Sequence, residues 1–419
     1  SWNLSGAVYC YSRFAIGFSM KNRAVLKFFL IYFGFTITSN FVHPITPAFL
    51  QMIEAPSYIQ GVAFSVMSFF TFLTAPFWGK MGDRKPYPKM IAFGYFGYAL
   101  GQTVFAAARS VPMLLAARTI SGLLNGALQV NALAYLISVS DSESRGKYMA
   151  YYAMLQSVGT CIGYFVGGSI GDYSLMLVFY IQIASVLFLG VISPIVLRDA
   201  PGRQLETGRI NYQEINPVAS MFTSMKKVDA AMGVYLATVF CFGFAMMAYD
   251  NYFSYFLRDQ LGFPTSVNGY FKALIGVIAI IANSTINMWI NKHTDVRKSI
   301  TVILAMSSVS VAMMVSFKSV LPFMASALVY YTSNAITVPV LQVMMMKDED
   351  KKQAGTISGL YNAFWALGRT VGPLIAAFVY GINPLYPFML AAAVYMLAAV
   401  LSIWNRFQYK NRKPRLVTE

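Results

Sequence analysis

Four charged side chains lie well inside long apolar stretches of this sequence, and they are the residues best placed to do chemistry there: Arg118, Asp250, Lys272 and Arg369. A charge surrounded by hydrocarbon is costly unless it faces a partner or a watery cavity. A carboxylate in such a place can take up and release a proton, whereas a guanidinium offers only a fixed charge and a fork of donors. These residues are therefore the first candidates for a functional site.

Asp250, Lys272 and Arg118 are expected at a similar depth, because each lies about six or seven residues from the same end of its stretch, at about 1.5 Å per residue. Asp250 and Lys272 lie on consecutive stretches, so an ion pair between them would resolve two costly charges. Three interpretations of Asp250 stay open: a proton carrier, a fixed anion that recognises substrate, or a counter-charge for Lys272. Lys272 also raises the alternative of an anionic substrate, and Arg369 could serve helix packing or ligand contact.

Twelve apolar stretches, each long enough to cross a membrane, must position these residues. The chain has 419 residues, of which 57% are hydrophobic and 11% charged, and this composition excludes a soluble domain. A spanning helix needs roughly 20 apolar residues, and stretches of this length without alternation exclude a β-barrel. We predict an all-α membrane protein with spans 1 to 12 at residues 28–49, 58–79, 90–108, 111–138, 148–170, 174–197, 231–257, 266–290, 299–316, 320–346, 354–381 and 384–404.

The net charge of +16 is distributed as in a membrane protein rather than as in a nucleic-acid-binding protein. Of the 32 Lys and Arg residues, three lie in the spans, three at one face (Arg109, Arg258 and Lys318), and the other 26 at the opposite face. Positive charge accumulates on the cytoplasmic side, so both termini are predicted to be cytoplasmic. The basic C-terminal tail is expected to meet the lipid bilayer, and no nucleic-acid partner is predicted.

The spans fall into two halves of six. Short motifs recur at an offset of 209 residues: Phe33-Gly34-Phe35 matches Phe242-Gly243-Phe244, and Gly159 with Gly163 matches Gly368 with Gly372. A parallel repeat of six spans is typical of many secondary transporters, with the substrate site at midplane between the halves. The predicted domains are a cytoplasmic N-terminal segment at 1–23, a six-helix bundle at 24–197, a cytoplasmic linker at 198–230, a second six-helix bundle at 231–404, and a basic cytoplasmic tail at 405–419.

A short loop between spans 2 and 3 carries Gly79, Asp83, Arg84 and Lys89. Asp83 is suited to lie against the positive N-terminal end of a neighbouring helix or a nearby base, although the bases alone could merely set orientation. The loop resembles the signature Gly-x-Leu-x-Asp-Arg-x-Gly-Arg-Lys of the major facilitator superfamily, with Met81 in place of Leu and Pro86-Tyr87 in place of Gly-Arg. The resemblance implies a conformational latch that holds the cytoplasmic ends of spans 2 and 11 together in the outward-open state.

Spans 4 and 5 carry two further patterns that resemble motifs of the same family. Arg118 with two following glycines resembles Arg-x-x-x-Gly-x-x-x-Gly-Ala of proton-coupled members, where a fixed positive charge would tune proton release from a nearby acid. The alternative is an arginine tied to backbone carbonyls of a neighbouring helix. Span 5 resembles the antiporter motif, with Tyr164 in place of its Pro, and small residues at this spacing let helices approach closely. The predicted helix-packing residues are Gly159, Gly163, Gly167 and Gly168 in span 5 and Gly368, Gly372 and Pro373 in span 11.

The resemblance also implies a cavity lined by spans 1, 4, 7 and 10. His43, which precedes Pro44, is the one histidine within the predicted spans, and we expect it to be packed or solvated near the outer end of span 1. For each other candidate, the alternative to substrate binding is a lipid-facing or inter-helix packing role. The candidates are Asn40, Asn125, Gln129, Tyr249, Tyr252 and Asn334, with Tyr361, Trp365 and Arg369 from span 11.

These patterns together resemble the drug–proton antiporter branch: a secondary active transporter that exports amphipathic or cationic small molecules in exchange for protons, with Asp250, Arg118 and Lys272 in proton coupling. The alternatives are a proton-coupled transporter of a defined metabolite such as an organic anion, and a non-transporting receptor or lipid-modifying enzyme. No metal triad, nucleotide loop or nucleophile–histidine arrangement indicates an enzyme, a metal site or a cofactor. The expected partners are a small-molecule substrate, protons and the bilayer, for a monomer in a bacterial cytoplasmic membrane.

Overall fold

Long helices make up nearly all of the computed structural model, which describes residues 23–141, 144–200, 203–207, 216, 225, 228–316, 319–346 and 354–412. The first half contains α1 (Arg23–Ser39), α2 (Thr46–Met52), α3 (Ile59–Arg84), α4 (Tyr87–Ala106), α5 (Val111–Ser138), α6 (Arg145–Tyr173) and α7 (Leu175–Val196). The second half contains α8 (Ala230–Asp259), α9 (Thr265–Ala282), α10 (Met288–His293), α11 (Val296–Ser316), α12 (Val320–Met346), α13 (Ala354–Ile382) and α14 (Tyr386–Arg412). A π-helical turn, Asn283–Asn287, joins α9 to α10.

Each predicted span corresponds to helix in the described part of the chain, one helix to a span, except that span 1 covers α1 and α2 and span 8 covers α9 and α10. Eight segments are long and apolar enough to cross a membrane by length and composition: α3, α5, α7, α8, α9 with α10, α11, and parts of α13 and α14. The protein is thus an all-α membrane protein, as predicted, while the count of twelve spans and the side of each terminus stay predictions. The predicted segments 1–23 and 198–230 lie largely outside the described residues.

Span 1 requires a correction. We predicted an uninterrupted helix over residues 28–49, but α1 ends at Ser39 and α2 begins only at Thr46. Pro44 accounts for the break, because proline has no backbone N–H and its ring disfavours helical geometry at the preceding residue. Irregular backbone at membrane depth is tolerated where it is buried in protein or lines a water-filled cavity. The break therefore marks a place where a site can form.

Corresponding helices pair in the two halves. In the first half α1 packs on α6, and in the second half their counterparts α8 and α13 pack on each other. Both contacts depend on glycine: a Cβ atom at Gly163 would lie 2.7 Å from Cβ of Asn40, and one at Gly368 would lie 2.9 Å from the backbone nitrogen of Phe244. Equivalent contacts at equivalent motifs support the predicted relation between the halves.

The two halves meet through α6 against α9 and through α3 against α13. Contacts between them concentrate at the end of the molecule remote from the 79–89 loop, here named the closed end. There Asp172 Oδ1 accepts a hydrogen bond from Thr265 Oγ1 at 2.6 Å. A Cβ atom at Gly168 would lie 2.9 Å from Cα of Gly269, so the two backbones touch. The closed end thus seals the interface with short polar groups and glycine.

Candidate substrate and proton-coupling site

A charged cluster joins three helices of the second half. Asp250 of α8 and Lys272 of α9 form an ion pair. The Tyr331 hydroxyl of α12 accepts a hydrogen bond from Lys272 Nζ at 2.7 Å and donates one to Asp250 Oδ1 at 2.7 Å. The predicted pairing of Asp250 with Lys272 is confirmed, and Tyr331 completes the cluster.

The two members of the ion pair differ in exposure. The Lys272 side chain is 8% exposed, whereas that of Asp250 is 28% exposed. Aromatic rings surround the ammonium group, with Nζ 4.7 Å from the ring centroid of Tyr331, 5.9 Å from that of Phe253 and 6.0 Å from that of Tyr164. Because aromatic faces stabilise a desolvated cation, Lys272 is held in place while the carboxylate keeps its access to a cavity.

His43 connects this cluster to the first half. It lies in the break between α1 and α2 and stacks on Tyr164 of α6, with ring centroids 5.7 Å apart. The His43 side chain has solvent-accessible surface although protein surrounds it. It therefore faces an internal cavity. His43 also interacts electrostatically with Arg118, Asp250 and Lys272. The break in span 1 therefore brings a proton-binding side chain into the field of the ion pair.

Arg118 of α5 is buried and has no acidic partner within the described residues. Its Nη1 lies 3.7 Å from Sδ of Met67, and its Cζ lies 4.1 Å from the ring centroid of Phe105. Its Nε is buried without a hydrogen-bond partner. In the described part of the chain, no backbone carbonyl accepts a bond from this arginine, so the predicted alternative of a carbonyl-tied Arg118 is not what this conformation shows.

Arg369 of α13 is a second arginine whose Nε is buried without a partner. It interacts electrostatically with Asp250, beyond ion-pair distance. Tyr361 and Trp365 precede it at intervals of four residues, which places all three on one face of the helix. The hydroxyl of Tyr361 and the indole N–H of Trp365 also lack partners. α13 therefore carries a stripe of three unsatisfied polar groups.

The cluster can couple proton binding to a change of charge. Protonation of Asp250 would remove the counter-charge of Lys272, and an unpaired charge in a buried site costs several kcal/mol. The site has no metal-binding character: within the described residues, no three His, Cys, Asp or Glu side chains are grouped so that they could hold a metal ion. Its chemistry is that of acid–base exchange and ion recognition.

Comparison with known proteins decides the family. The sequence matches the Major Facilitator Superfamily over residues 28–373. The chain belongs to the major facilitator superfamily. Multidrug resistance protein 1 of Bacillus subtilis is 21% identical over 369 residues, which cover 86% of this chain and 91% of that protein. Multidrug resistance protein MdtG of Proteus mirabilis is 24% identical over 410 residues, with 92% and 96% covered.

Solved structures share the fold of this facilitator. The human organic anion transporter MFSD10 has a TM-score of 0.66 and 18% sequence identity, covering 91% of this chain and 99% of that one. A bacterial homologue of the human lysosomal transporter Spinster, in an inward-facing and unoccupied conformation, has a TM-score of 0.73 and 14% identity, covering 92% and 99%. The predicted facilitator fold is confirmed, and family membership makes the chain a transporter and not an enzyme, as predicted.

The glycine motifs of this facilitator lie where helices approach closely. In the first half they face α1, the span 1 break and α9; in the second half they face α8. A Cβ atom at Gly167 would lie 2.6 Å from Cα of Phe41, inside the break. The contacts pair Gly159 with Thr36, Gly163 with Ile37 and Asn40, Gly168 with Gly269, Gly368 with Phe240, Gly372 with Phe244, and the carbonyl of Pro373 with Gly61.

The 79–89 loop contacts the beginning of the linker. The Arg203 guanidinium lies over the ring of Tyr87, with Cζ 3.3 Å from the centroid. The backbone N–H of Glu206 donates to the carbonyl oxygen of Asp83 at 3.0 Å. These contacts belong to one half and its linker, so a latch between spans 2 and 11 stays a prediction. The predicted latch residues lie at the end of α3 (Gly79, Asp83 and Arg84) and in the first turn of α4 (Lys89).

Several of the predicted substrate residues are packed against other side chains in this conformation. Tyr249 and Tyr252 of α8 are fully buried, and the Tyr249 ring centroid lies 3.9 Å from that of Tyr330. Asn334 donates hydrogen bonds to the hydroxyls of Tyr330 at 2.7 Å and Tyr395 at 3.1 Å. Substrate roles for these residues stay predictions. Among the other polar candidates, Asn40 bonds to Thr36 and Thr160, Asn125 is buried with an unpartnered Oδ1, and Gln129 is exposed.

Sequence reasoning missed Tyr164 and Tyr331 as members of the charged cluster. The chain has 27 tyrosines; Tyr164 stood out only as a departure from the antiporter motif, and nothing in the sequence marks either residue as a neighbour of the ion pair. His43 did carry a signal, because a proline inside an apolar stretch predicts a break at the preceding residue. A break at His43-Pro44 predicts a histidine beside a cavity, whereas we expected a packed or solvated side chain near the outer end of span 1.

Proposed function

We propose that this facilitator is a proton-coupled exporter of amphipathic small molecules, which works by alternating access in a bacterial cytoplasmic membrane, with twelve spans and both termini cytoplasmic. The observation that carries the proposal is the Asp250–Lys272–Tyr331 cluster, with a partly exposed carboxylate and His43 nearby. Relatives named for multidrug resistance, over most of this chain's length, support export.

Asp250 is the proposed proton carrier. In the ion pair its carboxylate is ionised and balanced by Lys272. A proton that reaches the cavity, by way of His43 or water, would bind to the carboxylate and leave Lys272 without a counter-charge. Because a buried unpaired charge is costly, protonation would favour a different arrangement of α8 and α9. Proton binding is thereby coupled to conformation.

The observed conformation supports alternating access. The distribution of basic residues assigns the 79–89 loop to the cytoplasmic side, so the closed end faces outward. Contacts there between Asp172 and Thr265 and between Gly168 and Gly269 correspond to an inward-facing state. The latch residues at the other end would engage in the opposite, outward-facing state.

An organic anion is a second candidate substrate, favoured by the unpartnered Nε atoms of Arg118 and Arg369. The direction of transport separates the two candidates. A cation that competes with protons for Asp250 would move opposite to the proton. An anion would move with the proton, because neutral Asp250 leaves the interior more positive.

Reconstitution into sealed liposomes tests the proposal. A pH gradient is imposed, and the movement of ethidium, a cationic probe, and naphthalene-2-sulfonate, an anionic probe, is followed by fluorescence. We expect uphill movement of at least one probe, and we expect Asp250→Asn to lower it to the protein-free background. Asp141→Asn, the same change at an exposed loop carboxylate, should keep the wild-type rate. Wild-type uphill transport by Asp250→Asn would reduce Asp250 to a counter-charge for Lys272.

A further inference from the structure

The charges in the interior of the bundle do not balance. Arg118, Lys272 and Arg369 are positive, and Asp250 is the one acid deep within the predicted spans. Asp250 is committed to Lys272 by their ion pair. Arginine keeps its charge inside proteins, so two guanidinium groups remain without a carboxylate among the described residues. Such a site is costly unless a ligand supplies the missing charge.

Arg118 and Arg369 lie at a similar depth in the bundle, because neighbouring residues of α3 contact Arg118 and the residue that follows Arg369. Arg118 reaches Sδ of Met67. Thr370, which follows Arg369, accepts a hydrogen bond through its carbonyl from Ser65 Oγ at 2.7 Å. Ser65 and Met67 are two residues apart, which is about 3 Å along a helix. The guanidinium of Arg118 and the backbone next to Arg369 therefore contact α3 within one helical turn of each other, which places the two arginines at a similar depth.

The unsatisfied groups around this level match an anion. The Nε–H groups of Arg118 and Arg369 donate hydrogen bonds and cannot accept them. The same is true of the indole N–H of Trp365, which lies one helical turn from Arg369. A carboxylate, sulfonate or phosphate presents several oxygen acceptors that fit the guanidinium fork. The surroundings of Arg118 are apolar, with Met67 and the ring of Phe105 in contact. The matching ligand has an anionic group on an apolar body.

We infer that the interior holds a binding site for an amphipathic anion, a carboxylate, sulfonate or phosphate, whose charged group is shared by Arg118 and Arg369. This site gives a structural basis to the second candidate substrate, an organic anion. Its existence does not depend on transport; only its physiological use rests on the proposed function. Because each half supplies one arginine, the bound anion would bridge the halves. Occupancy would therefore favour a conformation in which the two arginines approach each other.

Equilibrium binding without a gradient tests the site. Purified protein is titrated with naphthalene-2-sulfonate and with (2-naphthylmethyl)ammonium, which share an aromatic body and differ in charge. We expect the sulfonate to bind and the ammonium not to compete with it. Arg118→Gln and Arg369→Gln should each weaken sulfonate binding by about tenfold or more, as expected for loss of a charged hydrogen-bond donor. Arg109→Gln, at an exposed position, should leave the affinity unchanged.

Two further variants and a folding control keep the outcome interpretable. Arg369→Lys retains the charge and should recover part of the affinity, which a merely structural role would not predict. Monodisperse elution and an unchanged melting temperature establish that the glutamine variants fold. Asp250→Asn removes a nearby negative charge and should bind the sulfonate at least as tightly as the wild type. Loss of transport with retained binding in Asp250→Asn would uphold both the site and the proton carrier.

Two results would overturn the site. One is sulfonate affinity that is the same in Arg118→Gln, Arg369→Gln and the wild type. The other is tighter binding of the ammonium probe than of the sulfonate. If the sulfonate binds through both arginines but no pH gradient moves either probe, the proposed function fails and the anion site stands. If ethidium moves uphill while the sulfonate neither binds nor moves, transport stands and the anion site fails.

Discussion

The two halves differ in helix continuity at span 1 and its counterpart α8, although the repeat predicts equivalent helices there. Span 1 is broken between Ser39 and Thr46, whereas α8, its counterpart 209 residues later, runs unbroken from Ala230 to Asp259. Phe253 occupies the position that corresponds to Pro44, and its ring is fully buried in aromatic packing. We attribute the contrast to Pro44, which the unbroken helix of the second half lacks at the corresponding position.

A second difference concerns the positions of the family motifs and of the charged cluster. The first half carries the loop signature and the motif around Arg118, while the second half carries Asp250, Lys272 and Tyr331. Tyr164 and His43 extend from the first half toward this cluster. We therefore expect the family motifs to belong to the machinery that moves, and the charged residues outside those motifs to bind what it responds to.

Introducing into α8 the helix break of span 1, and removing that break from span 1, tests the contrast directly. The change in α8 should have the largest effect on stability. Phe253→Pro imposes on α8 the interruption that Pro44 gives span 1. We expect it to cost about 3 kcal/mol beyond the loss in Phe253→Ala, which controls for the missing ring. The reverse change, Pro44→Ala, should alter stability by less than about 1 kcal/mol, because proline has no N–H and the fold already stands without a backbone hydrogen bond from residue 44. Melting temperatures of purified protein measure all three, and equal losses from Phe253→Pro and Phe253→Ala would show that the contrast has another cause.

Removing one partner of the ion pair should have the next largest effect. Lys272→Met leaves the partly exposed carboxylate of Asp250 without its cation, so we expect a loss of about 3 kcal/mol, the lower end of the range for a broken buried pair. The double variant with Asp250→Asn should recover most of this stability. A double-mutant cycle measures the coupling, and strictly additive losses would argue against a direct energetic link between the two side chains.

Matched glycine substitutions test whether both halves depend on the same close contacts. Gly163→Ala and Gly372→Ala each drive a methyl group into the backbone of the facing helix. We expect losses of about 1–3 kcal/mol at each site. Gly233→Ala is the control, because a Cβ atom there meets nothing within 4 Å, and it should be neutral or stabilising by up to about 1 kcal/mol. A harmless substitution in one half alone would show that the repeat no longer constrains that half.

The smallest expected effect concerns the loop, which has no intact counterpart in the second half. Asp83→Asn removes a charge with little change of volume, and we expect the population to shift toward the inward-open state. A change of about 1.4 kcal/mol would move that ratio roughly tenfold. Spin labels at the loop-side ends of α3 and α13 would report longer distances, with Asp141→Asn as the matched control. Unchanged distances together with unchanged turnover would leave the signature only a role in membrane orientation.

Sequence alone predicts the all-α membrane fold of this protein, because the length of a spanning helix follows from the thickness of the bilayer; the number of spans and the side of the termini stay predictions. It also predicts the pair of Asp250 and Lys272, since two isolated charges on consecutive helices have few other ways to be stabilised. It does not predict which tyrosines surround them. On a helix that is apolar on all sides, a rotation of about 100° per residue decides whether a ring faces cavity or core. Tyr249 was therefore assigned to the cavity although the structure buries it.

If the two halves rock as proposed, the touching backbones of Gly168 and Gly269 would serve as the fulcrum. From Gly168 to the opposite end of α6 at Arg145 is about 35 Å along the helix axis. A tilt of about ten degrees around the fulcrum would displace that far end by about 6 Å, while the glycines themselves barely move. A methyl group added at the fulcrum would therefore change the width of the distant opening far more than it changes the local spacing.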